Sequence, residues 1–164
     1  MTGVQTCALP ICFPVTIGGV LALAFGSMKR NNKWDAYPFD KKAVKVLNKI
    51  LKETGAEIVL SSDWKHHYGL KALSEIFLEL NGVIKAPIDV TPALPTNSMD
   101  LEGGRIAEIK LWLKENAEKM GVTHWVSIDD LNMSEGLTNF VHCKRFNEGI
   151  KQTGLADKIL KFLE

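Results

Sequence analysis

Apolar positions along this chain follow two periods, and the switches between them mark its elements. Asp40 reads as an N-cap, and Val44, Leu47, Ile50 and Leu51 follow at helical spacing until Gly55 closes the helix. Ala56 to Leu60 is a short apolar run rich in β-formers, the pattern of a buried strand, and it stops abruptly at Ser61-Ser62-Asp63-Trp64-Lys65. A second helix over Leu70–Leu80 places Leu73, Ile76, Phe77 and Leu80 on one face, with Gly82 as its stop. Ile84 to Thr91 holds another strand bordered by Pro87 and Pro92, and a proline-rich loop runs on to Ser98. Arg105 to Met120 is the third helix, with Ile106, Ile109, Leu113 and Ala117 inward and Gly121 beyond it. His124 to Ile128 reads as a strand running into Asp129-Asp130, Phe140 to Cys143 as a last short strand, and Thr153 to Leu163 as a closing helix with Leu155, Ile159, Leu160 and Leu163 inward.

The same reading places a strand at about Val15 to Ile17, ending in the pair Gly18-Gly19. Such a pair lets backbone approach a ligand closely. Strands therefore alternate with helices, which predicts an α/β fold: a Rossmann-like three-layer sandwich with a mostly parallel sheet and helices on both faces. Ligands in such sheets bind at the carboxyl ends of the strands. The candidate site residues fall there: Thr16, Gly18 and Gly19 after one strand, Ser61 and Ser62 after a second, Asp129 and Asp130 after a later one, and Arg105 opening a helix toward the same edge. The irregular connection Ala22–Phe39 carries Lys29, Arg30, Lys33, Trp34 and Tyr37. A connection that long reads either as a lid or as a solvated loop with its two rings tucked into the body.

Composition narrows the partners. The chain has 164 residues, enough for one domain with a sizeable core, and a formal net charge of +1. No global field draws nucleic acid or anionic lipid, and the absence of a basic stripe argues against a nucleic-acid partner. Cys7, Cys12 and Cys143 have no metal-type spacing and suit a reducing cytosol better than a disulfide framework. Met1 to Gly26 is apolar but has no basic n-region and is broken by Pro10 and Pro14, which disfavours a signal peptide or membrane anchor. Met1 to Ile11 instead resembles the conceptual translation of a sequencing adapter. That implies a microbial metagenomic or phage source, a non-native leader over residues 1–12 and a single domain over 13–164.

The stretches Phe39-Asp40, Leu47-Asn48, Thr54-Gly55-Ala56, Ile58 to Trp64, Arg105 to Ile109 and Ile128-Asp129-Asp130 together resemble the haloacid dehalogenase-like (HAD) phosphohydrolase superfamily. The nearest likeness is to the small, minimally capped HAD domains of bacterial and phage RNA-repair proteins. The resemblance implies that Ser61 hydrogen-bonds phosphoryl oxygens, that Arg105 neutralises transition-state charge, and that Asp129 and Asp130 hold Mg²⁺. It also implies an aspartate nucleophile and an aspartate acid/base on the first strand, but Thr16 and Gly18 stand at those positions.

Threonine there has no neighbouring base in the sequence context and glycine has no proton to give. The expectation is therefore a catalytically impaired HAD-like protein, more a binder than an enzyme. Gly18, Gly19, Ser61, Ser62 and Arg105 would cradle a phosphate. The residues of the Ala22–Phe39 connection would meet a base or a second phosphate, and at most weak Mg²⁺ would be retained. Its ligand would be a phosphorylated small molecule or nucleotide, for instance a sequestered signalling nucleotide in a phage-infected bacterial cytoplasm. The alternative is a working Mg²⁺-dependent phosphohydrolase acting on a nucleotide or a nucleic-acid end. No membrane partner is expected, and self-association is left open. Bland readings stand beside these: Ser61-Ser62 as a strand end, Asp129-Asp130 as a turn, Arg105 as a solvated first-turn residue, His66 and His67 as rim residues, His124 and His142 as structural, Trp112 and Trp125 as core, and Cys143 as a buried small hydrophobe.

Overall fold

The computed structural model describes residues 12–15, 39–95, 99–144 and 148–164. Among them five strands form one sheet in the spatial order β3-β2-β1-β4-β5, and every pairing is parallel. These strands are β1 (Cys12–Val15), β2 (Glu57–Leu60), β3 (Pro87–Val90), β4 (Ser127–Asp129) and β5 (Phe140–His142). Four helices join them: α1 (Lys41–Thr54), α2 (Leu70–Glu75), α3 (Leu101–Asn116) and α4 (Leu155–Leu163). The fold is the expected α/β, Rossmann-like sandwich.

Side-chain alternation on β2 shows how the layers form. Ile58 and Leu60 pack with α1, α2 and α4 in one large core. Val59, pointing the other way, packs with Trp112 of α3. All three are fully buried, which is why the strand reads as a continuous apolar run.

Helix α1 follows its sequence signals closely. The Asp40 carboxylate accepts from the amides of Lys42 at 2.8 Å and Ala43 at 3.0 Å. Gly55 takes the left-handed conformation at φ 69° that ends the helix, and its N–H donates to the Leu51 carbonyl. The predicted inward residues Val44, Leu47, Ile50 and Leu51 are all buried. Lys151 donates to the other oxygen of Asp40 at 2.9 Å, so the same cap ties α1 to the turn before α4.

Three expectations shift. Leu80 is half exposed, not inward. The helix begun by α2 widens into a π turn over Ile76–Leu80, and the extra residue in that turn rotates Leu80 away from Leu73, Ile76 and Phe77. Pro87 is the first residue of β3, not its border, and pairs with Ile58. β3 is an edge strand, where a missing N–H at the first position costs no ladder bond. Helix α3 begins at Leu101, so Arg105 lies in its second turn and does not open it. Asp100 is the cap, accepting from the Gly103 amide at 2.9 Å. A Cβ at position 103 would collide with that carboxylate, so the glycine that looks like a helix breaker is what allows the cap to close.

The Asp40 cap yields a prediction. Burial raises the Asp40 pKa, but the Lys151 bond and charge together with the Ala43 and Lys42 amides outweigh burial and hold it below its ordinary 3.8. A depressed folded-state value means stability that is present above the unfolded value and lost as pH falls through the folded one. Asp40→Ala should lower unfolding free energy by about 1–2 kcal/mol in urea titrations at neutral pH. The difference from the parent should shrink as pH is taken below the ordinary aspartate value.

Candidate functional site

A parallel sheet exposes its loops at the carboxyl ends of the strands, and here a cleft of about 410 Å³ opens at that edge. Register puts the strands flush. Val15 of β1 pairs with Leu60 of β2 and Ile128 of β4, so Ser61 and Asp129 each come one residue after a partner of Val15. Thr16 is the next residue of the chain, but Thr16, Gly18, Gly19, Lys29, Arg30, Trp34 and Tyr37 lie outside the described residues.

Arg105 joins the remaining candidates. Its Nη1 donates to the Ser61 carbonyl oxygen and, at 3.4 Å, to Asp129 Oδ2, while Nη2 reaches Asp63 Oδ1 at 3.1 Å. Asp129 is buried at the end of β4, and its Oδ1 accepts from the Leu131 amide at 2.9 Å. Asp130 is half buried and lines the cleft beside Ser62 and Arg105. Ser62 has a structural task as well: its hydroxyl caps the turn Asp63–His66 by accepting from the Trp64 amide. His66 lines the cleft as a rim residue. His142 is structural in a specific sense, since its Nε2 bonds the Asp130 carbonyl at 2.9 Å. Trp112 is buried and Trp125 half buried.

A buried, heavily bonded pair at this edge was given no role by sequence reasoning. Lys65 and Glu108 form an ion pair at 2.5 Å with side chains 4% and 7% exposed. Lys65 Nζ also donates to Thr91 Oγ1 and to the Pro92 carbonyl, each at 3.1 Å. All three ammonium donors are thus used. Glu108 accepts from the Leu94 amide at 3.1 Å with its other oxygen. This cluster pins the loops after β2 and β3 to α3. Thr91 Oγ1 in turn lies 3.5 Å from Ser61 Oγ. One signal was available: Glu108 falls on the face of α3 that carries Ile109 and Trp112, and a carboxylate there needs a buried cation.

Electrostatically, Arg105 faces three carboxylates, Asp63, Asp129 and Asp130, while the Lys65–Glu108 pair neutralises itself. The described part of the cleft is therefore acidic. Among the described residues no three His, Cys, Asp or Glu side chains converge as a metal site. HAD domains generally use Mg²⁺, and two adjacent hard carboxylates suit an ion that keeps several of its waters. The acidity is felt next door. Burial, then the charges of Asp129 and Asp130, push the Cys143 thiol up from 9.0 to about 12.

Two outcomes are expected. Glu108→Gln or Lys65→Met should each cost about 3–5 kcal/mol by denaturant titration, because each strands a buried charge. Their combination should cost less than the sum, since it removes both charges. Cys143 should remain protonated and resist alkylation at pH 8 in a mass-mapped reaction. A raised folded-state value also means stability is lost as pH climbs from 9.0 toward about 12, a loss that Cys143→Ala should reduce.

No curated protein and no solved structure matches the chain. No helix among the described residues is long and apolar enough to cross a membrane. One family model does match, described as the HAD domain in Swiss Army Knife RNA repair proteins, over residues 17–155. That span takes in β2, β3, β4, β5 and α1 to α3 with every cleft residue named above, and the chain belongs to this HAD domain family.

Proposed function

We propose that the cleft holds a phosphorylated ligand, a nucleotide in the simplest case, and that the protein binds it with little or no turnover. The observation that carries this reading is Arg105, whose guanidinium is set at the sheet's carboxyl edge by the Ser61 carbonyl and Asp129. A planar guanidinium is suited to a phosphate's paired oxygens. The acidic surroundings mean that the phosphate arrives with a cation to offset Asp129 and Asp130. Mg²⁺ held by those two carboxylates would supply that charge.

Little turnover follows from the sequence. By the resemblance drawn from the sequence, Thr16 and Gly18 stand where HAD proteins carry their nucleophile and acid/base, and loss of a covalent nucleophile costs several orders of magnitude in rate. Sequestration of a signalling nucleotide, as in phage counter-defence, is a role that such a binder would suit.

A second reading is favoured by the acidity of the cleft. Carboxylates that repel a bare phosphate are what a Mg²⁺-dependent phosphohydrolase retains, and a nucleic-acid end is a substrate that would suit a family described from RNA repair proteins.

Incubation with Mg²⁺ and a panel of nucleotides, reading both bound ligand and released phosphate, separates the two. Recovery of unchanged nucleotide is expected, and robust release would overturn the binding reading in favour of the second. Arg105→Ala should weaken binding by about 1.5–3 kcal/mol, the value of a charged hydrogen bond. Thr16→Asp combined with Gly18→Asp should introduce phosphate release that the parent lacks.

A further inference from the structure

A second cavity, about 380 Å³ in volume, lies between the edge strand β5 and helix α4, away from Arg105. Its floor is apolar, with Val141 and Leu155 buried and Phe140 and Phe162 half buried. Its rim carries Lys144, Lys158 and Lys161, all exposed, and none of the three makes an ion pair among the described residues. Lys158 and Lys161 are three apart on α4, so they stand one above the other on one helix face. The Phe140 and His142 rings stack on one another, with centroids 6.0 Å apart and planes 27° apart.

This groove adjoins the cleft. His142 lines the groove while its Nε2 holds the carbonyl of Asp130, which lines the cleft. The groove also continues past Lys144 and Lys158 into a further hollow of about 280 Å³. An acidic cleft and a lysine-rimmed, ring-floored groove thus meet at one side chain.

We propose that this groove is a binding track for single-stranded polynucleotide, whose terminal phosphate lies in the cleft while the next nucleotides follow β5 and α4. The inference rests on the cleft reading given above. Unpaired lysines along a groove neutralise a phosphate backbone, and ring faces accept any base by stacking. An acidic peptide would satisfy the lysines but would leave the apolar floor of Phe140, Val141 and Phe162 uncovered. A net charge of +1 does not oppose the assignment, because the positive charge is local and the neighbouring acid is what the average cancels.

The test compares a phosphorylated mononucleotide with a 5′- or 3′-phosphorylated single strand about four nucleotides long. Binding is measured by fluorescence anisotropy at several salt concentrations. The parent should hold the strand at least about tenfold more tightly than the mononucleotide, with a steeper salt dependence than the mononucleotide shows. Lys158→Ala with Lys161→Ala, both exposed and safe for folding, should abolish that gain and leave the mononucleotide affinity unchanged. No gain with length, an equal loss for the mononucleotide, or equal competition by a poly-glutamate peptide would overturn the groove assignment. The two readings fail separately. Mononucleotide binding that depends on Arg105 without any gain with length leaves the cleft reading standing and removes the track. Strand binding that depends on the two lysines and is indifferent to Arg105→Ala keeps the track and removes the cleft reading.

Discussion

The loops at the carboxyl edge of a parallel sheet share no hydrogen-bond ladder, and something other than the sheet must hold them together. For the loops after β2 and β3 a buried ion pair does this. Lys65 leaves the loop after β2, Glu108 leaves α3, and between them they hold Thr91, Pro92 and Leu94 of the loop after β3. Arg105 projects from α3 one turn before Glu108, so the clamp that fixes the helix also fixes where its guanidinium stands. Replacing such a pair by apolar residues is often tolerated, whereas halving it is not. Its place at the edge, beside Arg105, holds the loops after β2 and β3 against α3.

Charge in this protein is separated, not absent. Asp63, Asp129 and Asp130 gather in the cleft, while Lys144, Lys158 and Lys161 gather across His142. The overall +1 describes neither region. The high thiol value of Cys143 belongs to the same pattern, a small buried group lying within the field of two carboxylates. The ligand proposed above, with a compact, cation-accompanied phosphate at one end and a longer polyanion behind it, would match this arrangement.

How much of this is legible in the sequence depends on how local each cause is. The α1 cap, its Gly55 stop and its buried face are written within one stretch of chain, and the structure reproduces them. The strand β2 and the placement of Ser61, Arg105 and Asp129 at one edge follow from alternation and topology. The start of α3 was placed too late, at Arg105, whereas the Asp100 cap closes over Gly103, whose missing Cβ makes room for it. Leu80 was misplaced because an α period was carried through a π turn. The Lys65–Glu108 partnership links positions 43 apart, and no periodicity reports such a contact. The lysine-rimmed groove is likewise assembled from β5 and α4 and forms no basic stripe in the sequence.

Helix α3 carries Arg105 toward the cleft, Glu108 into the clamp, and Trp112 onto the face of the sheet that bears Val59, where its Nε1 donates to Asp89 of β3 at 2.6 Å. These three attachments are spaced by the pitch of one helix. Adding or deleting a single residue between Arg105 and Trp112 would turn one attachment by about 100° relative to the next. Segments outside the helix can change length without altering this spacing. The segment from Arg105 to Trp112 cannot, and it serves as the fixed ruler against which variation in the rest of the chain is measured.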